Sequence, residues 1–269
     1  MPGRRTPATV ALRFVGHATV HLDLAGLRVL TDPFLRPALG PLRRHGPLPD
    51  PATLGADVVL VSHAHPDHFD PASLASIPGR PVLVVPAGLG GAAAKAVAGP
   101  VRELAAGDEA RIGPLRVVAL PARHWPAPDR PRVREIGFLV EAPAASLYYP
   151  GDTAPLSAMR DLAGLVDVAL LPVGSWGPHL GPGHLGPRSA ARLAALLGPV
   201  AAVPVHWGTL YPRGLERLWG RPLDEPGPRF ARALAATAPG VLVPVLRPGE
   251  EADVEVPPGG LGRRPGIRR

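Results

Sequence analysis

The chain has 269 residues, 46% of them hydrophobic, with no cysteine and a net charge of +7. That length suits one large α/β domain, and the missing cysteine excludes disulfides, thiolate metal ligands and cysteine nucleophiles. No apolar run reaches membrane-spanning length and no secretory signal pattern is visible, so a cytoplasmic location without a transmembrane segment is expected. The positive charge is carried by arginine, with Lys95 the single lysine. No basic run interleaves with aromatics, so there is no dedicated nucleic-acid-binding feature. The expected partner is a small-molecule or lipid-like, anionic substrate.

Residues 8–15, 20–24 and 27–31 read as short strands, with His21 and Asp23 alternating onto a wet face. Gly16-His17-Ala18-Thr19 is a tight connection that carries a histidine. Thr31-Asp32-Pro33 places an aspartate where the third strand ends. Asp32 there either orients a metal-bound histidine or makes a plain Asp-Pro turn. Residues 34–56 form a proline-rich connection, read as a solvated loop, in which Arg43 and Arg44 are candidate contacts to an anionic substrate. The apolar run Val58–Val61 has the pattern of a strand buried on both faces. It breaks into Ser62-His63-Ala64-His65-Pro66-Asp67-His68-Phe69-Asp70, an H-x-H-x-D-H cluster of the nitrogen and oxygen ligands that zinc prefers.

A helix is expected near 70–76, a strand at 81–85 and an alanine-rich helix over 88–97. Strands at 101–104 and 115–120 follow, the second running into His124. A hairpin of 136–141 and 146–149 ends in Pro150-Gly151-Asp152. Beyond a helix at 154–163 and a buried strand at 166–171 lies a Gly/Pro-rich loop carrying Trp176, His179 and His184. Pro187 opens a helix with a core-facing stripe, and the strand 200–205 ends in His206-Trp207-Gly208-Thr209. A helix at 228–237 and a strand at 241–245 close a single domain of residues 1–251, and the Pro/Gly/Arg-rich tail 252–269 is expected to be disordered. Strands thus end at His63, His124, Asp152 and His206. With His65, Asp67 and His68 they make five imidazoles and two carboxylates, enough for two adjacent metals with a shared ligand.

These pieces resemble the metallo-β-lactamase superfamily, whose signature is the H-x-H-x-D-H loop followed by a later His, Asp and His at strand ends. Gly16–Thr19, Leu30–Pro33, Pro121–Trp125, Gly151–Thr153 and Val205–Thr209 are most similar to the branch of N-acyl-phosphatidylethanolamine-hydrolysing phospholipase D and the L-ascorbate-6-phosphate lactonases. The resemblance implies a four-layer αβ/βα sandwich, an α/β fold of two mixed sheets flanked by helices. It implies two Zn2+ ions, with Mn2+ or Fe2+ as alternatives. One would take His63, His65 and His124, the other Asp67, His68 and His206, with Asp152 bridging. Asp67 and His184 are then the catalytic candidates, and Asp32, His17 and Thr209 stand behind the ligands. Arg43, Arg44, Trp176 and His179 are the candidates for substrate contact. The implied enzyme is a zinc-dependent hydrolase that turns a dimetal-bound hydroxide on a phosphodiester. A lactone or other carboxylic ester is the alternative substrate, and a non-catalytic binding module is the rival from another class.

Overall fold

The computed structural model describes residues 7–258 apart from Pro178 and the side chain of Pro222. In chain order the elements are β1 (Ala8–Gly16), β2 (Thr19–Leu24), β3 (Leu27–Thr31), β4 (Ala38–Leu39), β5 (Leu42–Arg44), β6 (Val58–Leu60), α1 (Pro71–Ser76), β7 (Val82–Pro86), α2 (Gly90–Ala93) and β8 (Val101–Leu104). Then follow β9 (Glu109–Ile112), β10 (Leu115–Pro121), β11 (Ile136–Glu141), β12 (Ser146–Tyr149), β13 (Val168–Pro172), α3 (Pro187–Leu197) and β14 (Ala201–Val205). The chain continues through β15 (Leu210–Pro212), α4 (Glu216–Trp219), α5 (Arg221–Asp224), α6 (Pro226–Ala235) and β16 (Glu251–Val256).

Seven strands form one sheet in the order β16-β1-β2-β3-β6-β7-β8, and six form a second in the order β14-β13-β12-β11-β10-β9. Both are mixed. In the first sheet β16 to β3 run antiparallel and β3 to β8 parallel; in the second β9 to β12 run antiparallel and β12 to β14 parallel. The parallel strands β6, β7, β13 and β14 are apolar on both faces, as strands covered on both sides must be, whereas β8 at the sheet edge exposes Arg102 and Glu103. On β6, Val58 and Leu60 enter the core between the sheets, whereas Val59 reaches the outer core under α1 and α2. Helices α3 and α6 cover the other sheet. The result is the expected αβ/βα sandwich.

Five local expectations need correction. The helix expected over 88–97 shrinks to Gly90–Ala93, because Gly88, Gly90 and Gly91 weaken its first turn. The segment 154–163 forms a 3-10 helix at Ser157–Leu162 rather than an α-helix. Residues 241–245 contribute a single bridge at Leu242 instead of a strand. The expected tail contains β16, which pairs antiparallel with β1 at the sheet edge. Its Glu-Ala-Asp-Val-Glu-Val alternation buries Val254 and Val256 and leaves the acids outside, a period-2 signal that the Pro/Gly/Arg surroundings obscure. The rest of that tail, from residue 259, lies outside the described residues. Nor is the connection 34–56 only loop: β4 and β5 form a hairpin that pairs with β15 in a small third sheet. No helix among the described residues is long and apolar enough to cross a membrane.

Candidate metal centre

The two sheets meet where β1, β3, β6, β12 and β14 end, and the histidines and aspartates gather there. His17 and Trp207 form an isolated bridge across the seam, with the His206 N–H donating to the His17 carbonyl at 2.6 Å. The loop after β6 turns on amide donations from His68 and Phe69 to the His65 carbonyl. It closes at Asp70, whose carboxylate accepts from the Ser73 amide at 3.0 Å and so caps α1. His63, Asp67, His68, Asp152 and His206 are buried, His124 is at the edge of burial, and His65 is half-buried.

Each imidazole is aimed by a bond at its far nitrogen. His68 Nδ1 donates to Asp32 Oδ2 at 2.6 Å, His206 Nδ1 to the Gly174 carbonyl at 3.2 Å and His124 Nδ1 to the Gly183 carbonyl at 3.1 Å. Ser62 Oγ donates to Asp32, so it accepts from His63 Nδ1, 2.9 Å away. In all four rings Nε2 is therefore left facing inward. His65 turns its Nδ1 inward instead, 3.1 Å from Nε2 of both His63 and His124. His68 Nε2 and His206 Nε2 lie 3.2 Å apart.

The spacing of these convergent nitrogens is close to the edge of a tetrahedron of metal bonds, about 3.3–3.4 Å for zinc–nitrogen bonds of 2.0–2.1 Å. Asp152 Oδ2 lies 3.1 Å from His206 Nε2 and 3.4 Å from His68 Nε2, and it shares a ligand-competent group with His124 and His184. Its Oδ1 is buried with no hydrogen-bond partner. An orphaned carboxylate oxygen among convergent imidazoles fits a shared ligand between two cations. The donor groups split as His63, His65 and His124 on one side and His17, Asp67, His68 and His206 on the other.

Charge distribution agrees. Burial holds the His63 imidazole well below its usual range, that of His65 lower than usual, that of His124 at about 4 and that of His17 at about 3, so these rings are neutral. Burial pushes the Asp67 and Asp152 carboxyls up, but the surrounding imidazoles outweigh it and hold both well below the carboxylate range. Burial also pushes His68 down, yet Asp152, Asp67 and Asp32 together raise it well above its usual value. His68 thus carries a proton in the metal-free protein and must lose it from Nε2 to become a ligand. Metal affinity is therefore expected to rise as the pH increases from neutrality toward the raised pKa of His68. Chelator competition across that range reads the slope, and a flat profile would contradict a protonated His68.

Asp32 is fully buried and collects four donors: the Ser62 amide at 2.7 Å, Ser62 Oγ, His68 Nδ1 and the Tyr149 hydroxyl. The bond from His68 Nδ1 is the contact that the orienting reading of Asp32 requires. His17 Nε2 lies 2.9 Å from Asp67 Oδ2, while its amide donates to Thr209 Oγ1 at 2.7 Å. His17, Asp32 and His206 all hold left-handed backbone, at φ 58°, 32° and 61°. Gly151 precedes Asp152 at φ 60°, and a Cβ there would stand 2.4 Å from the Ser62 Cβ, so only glycine seats Asp152 against that loop. His184 Nδ1 donates to the Gly181 carbonyl, and its Nε2 lies 3.3 Å from Asp152 Oδ2. Burial lowers His184, but Asp152 outweighs it and the net shift is upward.

The substrate candidates divide. Trp176 is half exposed in a cleft beside His65 and Asp67. His179 is exposed and faces a neighbouring cleft with Trp219 and Arg229, away from the ligand groups. Arg43 is exposed on β5 opposite Tyr211. Arg44 is not available to a substrate. It is buried, and its guanidinium donates to the carbonyls of Phe34, Arg36 and Val15, with burial lowering its pKa to about 10. Sequence reasoning missed three site residues: Ser62, Tyr149, and Glu135, whose Oε1 accepts from the His124 amide at 2.6 Å. A tyrosine in a buried strand three residues before Asp152 was the one available signal.

The family profile described as "Beta-lactamase superfamily domain" matches residues 27–207. An uncharacterized protein of Mycobacterium tuberculosis is 32% identical over 271 residues, covering 93% of this chain and 70% of that protein. A protein of Pyrococcus abyssi described as a UPF0173 metal-dependent hydrolase is 29% identical over 260 residues, covering 91% of this chain and all of the relative. Among solved structures, a metallo hydrolase from the archaeon Ignicoccus hospitalis superimposes with a TM-score of 0.69 at 21% identity, covering 91% of this chain and 98% of its own. An isothiocyanate hydrolase from Delia radicum gut bacteria gives a TM-score of 0.66 at 19% identity, covering 91% of this chain and all of that one. These structures share the fold.

Proposed function

The chain belongs to the metallo-β-lactamase superfamily, and from that premise we propose that it is a metal-dependent hydrolase of carboxylic esters or lactones. The observation that carries the hydrolase reading is the set of inward-facing ring nitrogens of His63, His65, His68, His124 and His206 around the orphaned Asp152 oxygen. The Pyrococcus relative's description as a metal-dependent hydrolase agrees with it. His63, His65 and His124 would hold one ion and Asp67, His68 and His206 the other, with Asp152 between them. Two zinc ions are the proposed pair, with manganese or iron as substitutes for the same nitrogen and oxygen donors. Bound there, such ions supply hydroxide at neutral pH, by lowering the pKa of water from 15.7 to about 7, and polarise the scissile carbonyl.

The chain's own groups handle the protons and the geometry. Asp67, held by His17, is placed to accept a proton from the attacking water, and His184 to return one to the leaving oxygen. Water oxygen bonds to the acyl carbon, the ester C–O bond breaks, and the water's proton ends on the alcohol. The carbonyl reading is favoured over a charged substrate by the inward turn of Arg44, which removes one candidate cation from substrate contact. A phosphodiester is the second reading. It rests on the pieces that resemble the phospholipase branch and on Arg221 and Arg229 in the neighbouring cleft.

Protein of measured metal content, offered a neutral ester, a lactone, a phosphodiester and a β-lactam, tests the proposal. The ester or lactone is expected to turn over, to stop after chelation and to recover with zinc. Turnover of the phosphodiester alone would favour the second reading, and no turnover by the dimetal form would remove the hydrolase.

A further inference from the structure

A cleft of about 310 Å³ opens beside the metal centre, and two of its walls are candidate ligands, His65 and Asp67. The rest of the lining is apolar. Leu39, Pro41 and Leu42 come from the β4–β5 hairpin, and Pro66 and Trp176 complete the wall. No lysine or arginine lines it among the described residues. Arg43 and Arg44 sit on the same hairpin, yet neither lines the cleft, and the Arg44 guanidinium is spent on backbone carbonyls. Trp176 stays 47% exposed, a large apolar surface held open to water immediately beside the polar cluster.

Tryptophan against proline and leucine offers a polar arm at most the indole N–H, and an anionic arm no counter-charge. An aliphatic or aryl arm loses nothing by entering and gains by leaving water. We propose that this cleft selects substrates whose scissile group carries an uncharged apolar arm, placed between the hairpin and Trp176. This rests on the hydrolase reading for its chemistry, but the cleft and its occupant are testable without turnover. The anionic substrate expected from the net charge is replaced by a neutral, amphiphilic one.

The first arm of the test is a p-nitrophenyl ester series from acetate to octanoate with the metal-loaded protein. Each added methylene is expected to raise kcat/KM up to about fourfold while the cleft fills. An ester whose arm ends in a carboxylate is expected to fall back toward the acetate value. Leu39→Asp and Trp176→Ala should each flatten the series; two variants are used so that one misfolded protein does not decide the matter. The second arm is binding. 8-Bromooctan-1-ol should quench tryptophan fluorescence saturably in the wild-type protein, and most of that quenching should vanish in Trp176→Phe. Saturable quenching without turnover of any ester leaves the cleft assignment standing and removes the esterase. Turnover with a flat series, equal turnover of the carboxylate-ended ester, or quenching unchanged in Trp176→Phe overturns the assignment while leaving the hydrolase in place.

Discussion

Asp152→Ala is expected to leave a folded chain that holds at most one metal ion and turns substrate over at least about a thousandfold more slowly. That factor corresponds to several kcal/mol of lost transition-state charge stabilisation. The reason is position. Asp152 Oδ2 lies within 3.4 Å of His68 Nε2 and His206 Nε2, and the residue also groups with His124 from the other half of the site. Asp32 also stands near both His63 and His68, but its oxygens already accept from Ser62, His68 Nδ1 and Tyr149. The metal-free fold should tolerate the change, because Asp67 and Asp32 remain beside His68 as counter-charges when the contacts of Oδ2 are lost, and Oδ1 makes no hydrogen bond. Metal analysis and circular dichroism on the same preparation separate the two effects. A variant that retained two ions and full turnover would remove Asp152 from the centre.

Asp32→Ala should be the more damaging to the fold. It strands the Ser62 amide, the Ser62 and Tyr149 hydroxyls and His68 Nδ1, all of which are buried. Breaking a buried charged network of this kind costs about 3–5 kcal/mol, a drop in Tm of roughly 6–20 °C for a domain of this size. Metal affinity should fall a further 10–100-fold, roughly the usual effect of losing the group that orients a ligand. Tyr149→Phe removes one donor alone and should cost about 1 kcal/mol with metal content retained. Thermal melts with chelator competition read both. An Asp32→Ala protein as stable as the wild type would mean that the network bears no weight.

The ligand loop was legible because its four donors follow directly on a buried strand, so that pattern and chemistry coincide within thirteen residues. His124, Asp152 and His206 were legible for a related reason: each ends an apolar strand at a point where the chain has no structural need of charge. What escaped, or entered only through the family resemblance as His17 and Thr209 did, depends on distant partners. His17 reaches Asp67 only because Thr209 and the bridge to Trp207 hold its backbone, 192 residues away along the chain. Tyr149 reads as core until Asp32 is seen beside its hydroxyl. Arg44 reads as solvated because a buried guanidinium satisfied by carbonyls leaves no mark in composition. β16 was hidden by the prolines and glycines around it.

The left-handed backbone at His17, Asp32 and His206 sets the chain's stability against its chemistry. Each non-glycine residue held there costs of order 1–3 kcal/mol, and glycine would remove that cost. At Asp32 the four buried donors it accepts outweigh that cost, but at His17 and His206 selection for thermal stability alone would favour glycine and produce a hardier, inert protein. That histidines stand there instead marks two sites where tolerance of heat has been given up for reactivity.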